Sequence, residues 1–188
     1  MKKFLVVLVL AVFIAGGAFG FSIGGGVAGD FNTMINTIPN GGELKTSMFG
    51  VYIFLDFSFM EVNAIFGTTE ADGKSDLSTL NFSGLLKLPI PLGFLTLFPA
   101  VGVDLFSAYD QKKMDENGFA ETFSDNMKFG FLAGGGLDIA FGKLFIRAQV
   151  YLTFRIPSKE EALTIADNTM DRFSTGVKFM LGAGFKLF

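Results

Sequence analysis

Apolar and polar side chains alternate almost without error through residues 144–156, which read LFIRAQVYLTFRI. One set of alternate positions is apolar, and the other carries Arg147 and Arg155. Because successive side chains of a β-strand point to opposite faces, this period of two predicts a strand with one apolar and one polar face. Two architectures remain open: a soluble barrel with an apolar interior, and a membrane barrel with an apolar exterior.

Seven further segments alternate in the same way, so the chain is predicted to form eight strands. Counting the first one, the eight segments run roughly over residues 21–31, 48–55, 58–66, 77–88, 94–108, 127–141, 144–156 and 173–188. The connections between them alternate between long polar stretches and tight links. An even number of antiparallel strands with such connections is typical of bacterial outer-membrane barrels.

The start of the chain predicts a secretory signal peptide. A basic beginning is followed by an uninterrupted apolar run over residues 4–14 and by small residues up to Gly20. The apolar run is shorter than the roughly 20 residues that a membrane-spanning helix needs. We therefore expect residues 1–20 to be a signal peptide, cleaved after Gly20 or Ala18, and residues 21–188 to be a single barrel domain.

The composition is rich in apolar residues without providing a membrane helix. Half of the 188 residues are hydrophobic, but the apolar stretch over residues 85–106 contains Lys87, Asp104 and three prolines. Each interior proline costs a helix about 3 kcal/mol. An apolar surplus without an apolar helix is typical of a transmembrane β-barrel. The net charge of −3, without clustered basic residues, argues against a nucleic-acid partner.

The polar positions of the predicted strands are small more often than they are charged. Within residues 127–141 the polar set contains Gly130, Gly134 and Gly136 beside a single acid, Asp138. A solvated exterior would carry more charge, whereas such a set suits a narrow lumen in which each charge finds a partner. The phenylalanine-rich set is then expected to face lipid. The predicted fold is all-β, an eight-stranded antiparallel up-and-down transmembrane β-barrel.

A two-residue turn over residues 142–143 would set the register of the strands on either side. It would place Asp138 opposite Arg147 on the lumen face, and Gly134 opposite Tyr151. We therefore predict an Asp138–Arg147 ion pair inside the barrel.

Charged residues in the strands are predicted to form a polar network in the barrel interior. Its members are Glu61, Lys87, Asp104, Asp138, Arg147, Arg155 and Lys178. Buried charges are tolerated only when they are paired and hydrogen-bonded, and eight strands enclose a space that side chains can fill. We interpret the network as a salt-bridged plug. The alternative is an ion-selective or gated path through the same residues.

These features together resemble small outer-membrane barrels of the OmpA, OmpX, OmpW and opacity-protein type. The features are the signal peptide, the eight strands, the long loops and a final strand, GVKFMLGAGFKLF, that ends in Phe188. The resemblance covers the whole mature chain and is architectural. It implies that Phe188 belongs to an assembly signal read by the barrel-assembly machinery, and that outer-membrane lipid surrounds the protein.

The sequence lacks the residues of common catalytic and metal sites. It contains no histidine and no cysteine, which removes Ser-His-Asp hydrolysis, thiolate metal sites and disulfides. The glycine triplets at 24–26 and 134–136 do not lie at a strand-to-helix turn, so a phosphate cradle is not indicated. We expect no catalytic residue, no cofactor and no metal site, and therefore no enzyme.

The sequence supports three functional hypotheses. The first is an integral outer-membrane protein of a diderm bacterium with a structural or surface-interaction role, whose outward loops meet a host or environmental ligand. The second is a narrow OmpW-like channel or transporter for small or apolar solutes. The third is a soluble periplasmic lipocalin-like binder.

Overall fold

The structure, a computed structural model, describes residues 20–34, 44–71, 74–109, 127–156 and 174–187. Within these ranges the chain forms nine strands: β1 (Ser22–Met34), β2 (Leu44–Asp56), β3 (Met60–Ala71), β4 (Lys74–Lys87), β5 (Ile90–Leu92), β6 (Leu95–Tyr109), β7 (Met127–Phe141), β8 (Leu144–Ile156) and β9 (Ser174–Lys186). The described residues include no helix long and apolar enough to cross a membrane. Residues 1–19 of the predicted signal peptide, and Phe188 of the predicted assembly signal, lie outside the described ranges.

Eight of the strands close into a barrel. Neighbouring strands pair antiparallel in the order β4-β3-β2-β1-β9-β8-β7-β6, and a further pairing of β4 with β6 completes the ring. β1 lies beside β9, and the backbone N–H of Leu187 donates to the carbonyl of Phe21 at 2.8 Å. The closed eight-stranded antiparallel barrel confirms the predicted fold class.

The link over residues 88–93 differs from the prediction of a simple tight turn. The β4–β6 ladder stops where Lys87 faces Ala100, and pairing with β6 resumes on β5, where Ile90 faces Leu97. β5 pairs with β6 alone, and a strand with a free edge tolerates proline. The prolines of this link therefore interrupt the ladder without preventing a short additional strand.

The two faces of the wall have opposite character, as the alternation predicts. Along β8 every second side chain, from Phe145 to Arg155, is buried in the lumen. The outward face of each long strand exposes large apolar side chains, among them Val27, Val51, Val62, Leu86, Val101, Phe131, Leu152 and Leu181. The apolar face is the outside of the barrel, and the polar face lines the lumen.

The register across the short β7–β8 turn also agrees with the prediction. Asp138 faces Arg147, and Gly134 faces Tyr151. Gly142 begins the turn with a φ of 70°, a backbone conformation that glycine adopts without strain.

Large aromatic side chains share the lumen with the small residues. The rings of Phe54, Phe98 and Phe145 occupy the space in which a Cβ would lie at their register partners, Gly24, Gly136 and Gly184. An aromatic ring over a cross-strand glycine is a known way to stabilise glycine-rich sheets. The lumen glycines therefore make room for phenylalanine rings.

Candidate functional site

The structure places all seven residues of the predicted network inside the barrel. None of them is more than 8% exposed. They reach the lumen because each occupies the inward position of its strand, on β3, β4, β6, β7, β8 and β9. They are not a single network, however, but belong to two separate groups along the barrel axis.

The inner cluster lies at the barrel end that carries the short turns, and consists of Asp56, Glu61, Lys87, Asp138 and Arg147. Arg147 donates from Nε and Nη2 to the two oxygens of Asp138, at 2.7 and 2.6 Å. It also donates to Glu61, at 2.7 Å, and to Asp56. The Nζ of Lys87 lies 2.6 Å from Asp56 Oδ2 and 3.1 Å from Glu61 Oε2. Two cations are thus held by three carboxylates.

Glu61 links opposite walls of the barrel. Besides the ion pairs with Lys87 and Arg147, its Oε1 accepts hydrogen bonds from Gln149 Nε2 at 2.9 Å and from Asn63 Nδ2 at 3.3 Å. These donors come from β3, β4 and β8. Because a carboxylate only accepts hydrogen bonds, four converging donors satisfy Glu61 fully and fix its position across the lumen.

The outer cluster lies nearer to the long-loop end, and consists of Asp30, Asp104, Arg155 and Lys178. Arg155 Nε lies 2.7 Å from Asp104 Oδ2, and its Nη2 also pairs with Asp30. Lys178 Nζ lies 2.9 Å from both Asp104 Oδ1 and Asn81 Oδ1. Two carboxylates and two cations balance here, in positions that are nearly inaccessible to solvent.

An uncharged layer separates the two clusters. It includes Tyr52, Asn63, Gln149 and Tyr151, each buried in the lumen. The axial positions follow from β8, on which Gln149 and Tyr151 lie between Arg147 and Arg155. An ion crossing the barrel would therefore have to disrupt one cluster, pass an uncharged layer and then disrupt a second cluster.

Aromatic rings surround the guanidinium of Arg147. Its Cζ lies 4.7, 4.9 and 5.1 Å from the ring centroids of Phe54, Phe145 and Phe98. A cation over an aromatic face is attracted by the ring quadrupole, and the attraction is stronger where water is excluded. These rings hold Arg147 in place and fill the lumen around it.

Two acids of the clusters, Asp56 and Asp30, were not among the predicted members of the network. Asp56 lies at the end of β2, in a stretch predicted as a tight link, and Asp30 lies on the polar face of β1. The sequence does contain a signal for these two acids. Each guanidinium offers five N–H donors, so Arg147 and Arg155 require more acceptors than the predicted acids supply.

A cavity of about 400 Å³ enters the barrel from the short-turn end. Its lining includes the inner-cluster residues Asp56, Lys87, Asp138 and Arg147, together with Lys186 near the end of β9. The cavity therefore ends at the ion pairs of the inner cluster.

Among the residues that the structure describes, a lysine and a serine of the lumen lie close together. Lys178 Nζ lies 3.5 Å from Ser83 Oγ, but the same Nζ is ion-paired with Asp104. No group of three or more potential metal-ligating side chains occurs among the described residues.

Comparisons with known proteins give fold-level likenesses. No protein-family description matches the chain, and no curated protein matches it. The crystal structure of Neisserial surface protein A is similar over 89% of this chain and 97% of that chain, with 10% identity and a TM-score of 0.47. The N-terminal β-barrel domain of Pseudomonas aeruginosa OprF is similar over 88% and 97%, with 13% identity and a TM-score of 0.44. The barrel architecture of this chain is established by its own strand pairing, a closed ring of eight antiparallel strands.

Proposed function

We propose that the protein is an integral outer-membrane barrel with a plugged lumen and no enzymatic activity. The observation that carries this proposal is the distribution of apolar and charged side chains between the two faces of the wall. Large apolar side chains are exposed around the outside, while buried ion pairs fill the inside. Exposed apolar surface of this extent marks a membrane or a binding interface, and here it runs around the ring.

The plug supports a structural or surface-interaction role. Arg147 connects β8 to β2, β3 and β7, and Arg155 connects β8 to β1 and β6. Ion pairs of this kind brace the barrel internally, so that the loops can vary without loss of the scaffold. We infer that long loops at the outer end present the contacts with a host, an environmental ligand or a lipopolysaccharide-like lipid.

The same arrangement weighs against the two other hypotheses. A conducting channel would need a hydrated path, whereas two ion-pair clusters in series cross this lumen. A soluble lipocalin-like binder would need a polar exterior and an apolar interior, whereas this wall is apolar on the outside and largely polar on the inside.

Extraction and conductance measurements test the proposal together. The mature protein should remain with the membrane after high-salt washing and should be released by detergent. In planar bilayers it should show no steady conductance. Recovery in the salt-washed aqueous fraction would contradict the membrane location, and a steady open channel would contradict the plug.

A further inference from the structure

Four polar atoms in the uncharged layer between the two clusters lack a hydrogen-bond partner among the residues that the structure describes. They are the hydroxyl oxygens of Tyr52 and Tyr151, the amide oxygen Oδ1 of Asn63 and the amide oxygen Oε1 of Gln149. Each of these side chains is at most 2% exposed. Within the described part of the chain no other buried side-chain oxygen or nitrogen is unpartnered, so the unmet hydrogen bonding is concentrated in this layer.

An unmet hydrogen bond is costly in a position without access to solvent. A buried donor or acceptor has given up its hydration, and without a partner nothing compensates for that loss. The great majority of buried polar groups in folded proteins therefore have a partner, which is either protein or ordered water. Four unpartnered atoms in one layer point to an occupant that supplies the missing partners.

Glu61 fixes the orientation of both amide groups. Asn63 Nδ2 and Gln149 Nε2 donate to the same oxygen, Glu61 Oε1, at 3.3 and 2.9 Å. Because a carboxylate accepts hydrogen bonds and does not donate them, each amide must turn its nitrogen towards Glu61 and its oxygen away. Rotation of either amide by half a turn would place oxygen against oxygen. The two amide oxygens are therefore held in the layer with their lone pairs free.

The two tyrosine hydroxyls belong to the same region of the lumen. The Tyr52 hydroxyl lies 2.5 Å from the place of a Cβ at Gly182, so this side chain reaches from β2 across β1 to β9. Gly182 is two residues from Met180, the register partner of Gln149. Tyr151 follows Gln149 on the inward face of β8, within electrostatic reach of the Tyr52 hydroxyl. The four unpartnered atoms thus gather around Gln149.

The four atoms together are complementary to water. An amide oxygen accepts hydrogen bonds only, whereas a tyrosine hydroxyl both donates and accepts. Water has two donors and two acceptors, so it can donate to Asn63 and Gln149 and accept from Tyr52 and Tyr151. Buried water molecules in proteins typically make about three hydrogen bonds to polar groups that otherwise have no partner.

A cation or a larger solute fits the layer less well. A cation supplies no acceptor for the hydroxyl hydrogens, and two basic side chains lie beside the layer: Arg147 precedes Gln149 on the inward face of β8, and Lys178 is the register partner of Tyr151. A larger polar solute would have to pass the ion pairs of one cluster to enter. Water is small enough to be enclosed while the barrel forms.

We propose that the uncharged layer binds ordered water, enclosed between the two ion-pair clusters. This water donates to the amide oxygens of Asn63 and Gln149 and accepts from the hydroxyls of Tyr52 and Tyr151. The inference goes beyond the plugged barrel, because it gives the plug a hydrated middle and two ion-paired ends. It concerns the lumen alone and does not depend on the membrane location.

Removal of each tyrosine hydroxyl tests whether that hydroxyl has a partner. Tyr52→Phe and Tyr151→Phe should each raise the equilibrium constant for unfolding, measured by urea titration, about fivefold, because a hydrogen bond inside the barrel is lost. Thr153→Val is the reference, since the Thr153 hydroxyl donates directly to Asn32 Oδ1 at 2.9 Å, and it should show a loss of similar size. Unchanged or increased stability of both phenylalanine variants would overturn the proposal, because deletion of an unpartnered hydroxyl removes a buried polar group at no loss.

Oxygen-17 relaxation dispersion of the solvent detects enclosed water directly, since a water molecule inside the barrel tumbles with the protein until it exchanges. In detergent micelles the wild-type chain and Thr153→Val should show the same excess relaxation, and the double variant Tyr52→Phe/Tyr151→Phe should show less. An equal signal in the wild type and the double variant would overturn the proposal. A wild-type stability that falls when sodium is replaced by N-methylglucamine at constant ionic strength, with no such fall in the double variant, would assign the layer to a cation instead.

Discussion

Asp138 and Arg147 face each other across the β7–β8 hairpin and form a two-point ion pair, with contacts of 2.7 and 2.6 Å. The pair is local to the hairpin, but the same guanidinium also binds Asp56 and Glu61, which are 91 and 86 residues away in sequence. A turn of two residues therefore positions the side chain that ties together four strands of the barrel.

Replacement of Arg147 by alanine should destabilise the barrel strongly. It removes the ion-pair partner of Asp138 and leaves Lys87 as the remaining cation beside Asp56 and Glu61. Removal of one member of a buried ion pair costs about 3–5 kcal/mol. The free energy of unfolding, measured by urea titration in lipid vesicles, should fall by that amount. The control Lys143→Ala, at the exposed turn, should change it by less than about 0.5 kcal/mol. A loss as small as that of the control would show that the inner cluster does not brace the wall.

If the outward face contacts lipid as we propose, charge substitutions on it should report the depth of each residue in the membrane. Val150→Arg, in the middle of β8, should lower the free energy of unfolding by about 2–4 kcal/mol, whereas Leu144→Arg, next to the turn, should cost about 0–1 kcal/mol. The reason is that a guanidinium at the bilayer centre cannot reach water, and one near the edge can. Equal and small effects in vesicles would contradict the assignment of this face to lipid.

Conductance of lysine variants should reveal two barriers in series. Lys87→Ala alters the inner cluster alone, and Lys178→Ala alters the outer cluster alone, so each single variant should remain closed in planar bilayers. The double variant should conduct, with selectivity for cations, because both clusters then carry excess carboxylate. An open channel in either single variant, or a closed double variant, would argue against this series arrangement.

Alanine substitution of two strand glycines, Gly136 on the lumen face and Gly84 on the outward face, should separate packing from backbone entropy. At Gly136 a new Cβ would meet the ring of Phe98 and the carbonyl of Ala148, whereas at Gly84 the nearest atom is Val103 Cγ2 at 3.9 Å. Gly136→Ala should therefore cost about 1–3 kcal/mol of unfolding free energy. Gly84→Ala should be neutral or slightly stabilising, because it reduces the entropy of the unfolded chain. The same urea titration distinguishes the two, and a neutral Gly136→Ala would contradict the close ring packing.

The strands and the local pairing were predictable because they depend on neighbours in sequence. Alternation fixes the faces of β8, and the turn over residues 142–143 fixes the Asp138–Arg147 pair. Contacts across the lumen depend instead on the stagger of strands that are distant in sequence and on the reach of long side chains. The partnerships of Arg147 with Asp56 and of Arg155 with Asp30 were therefore not predicted, and neither were the phenylalanine rings around Arg147.

Strand β5 was not predicted from the sequence for a different reason. Proline is correctly taken as a sign that a ladder is interrupted. The conformation of the chain beyond the interruption depends on whether the neighbouring strand extends far enough to pair again. β6 begins at Leu95 and offers that edge, so three residues beyond Pro89 form a strand where a turn alone was predicted.

The seam between β1 and β9 has a consequence for biogenesis. It joins the earliest and the latest strands of the fold, from Ser22 beside Lys186 to Met34 beside Ser174. Until this seam forms, the unfinished sheet has two unpaired edges that can recruit other chains. Contacts so far apart in sequence form late, since a long loop must close first. A copy of this chain therefore keeps both borders of its sheet exposed until its last strand pairs with its first.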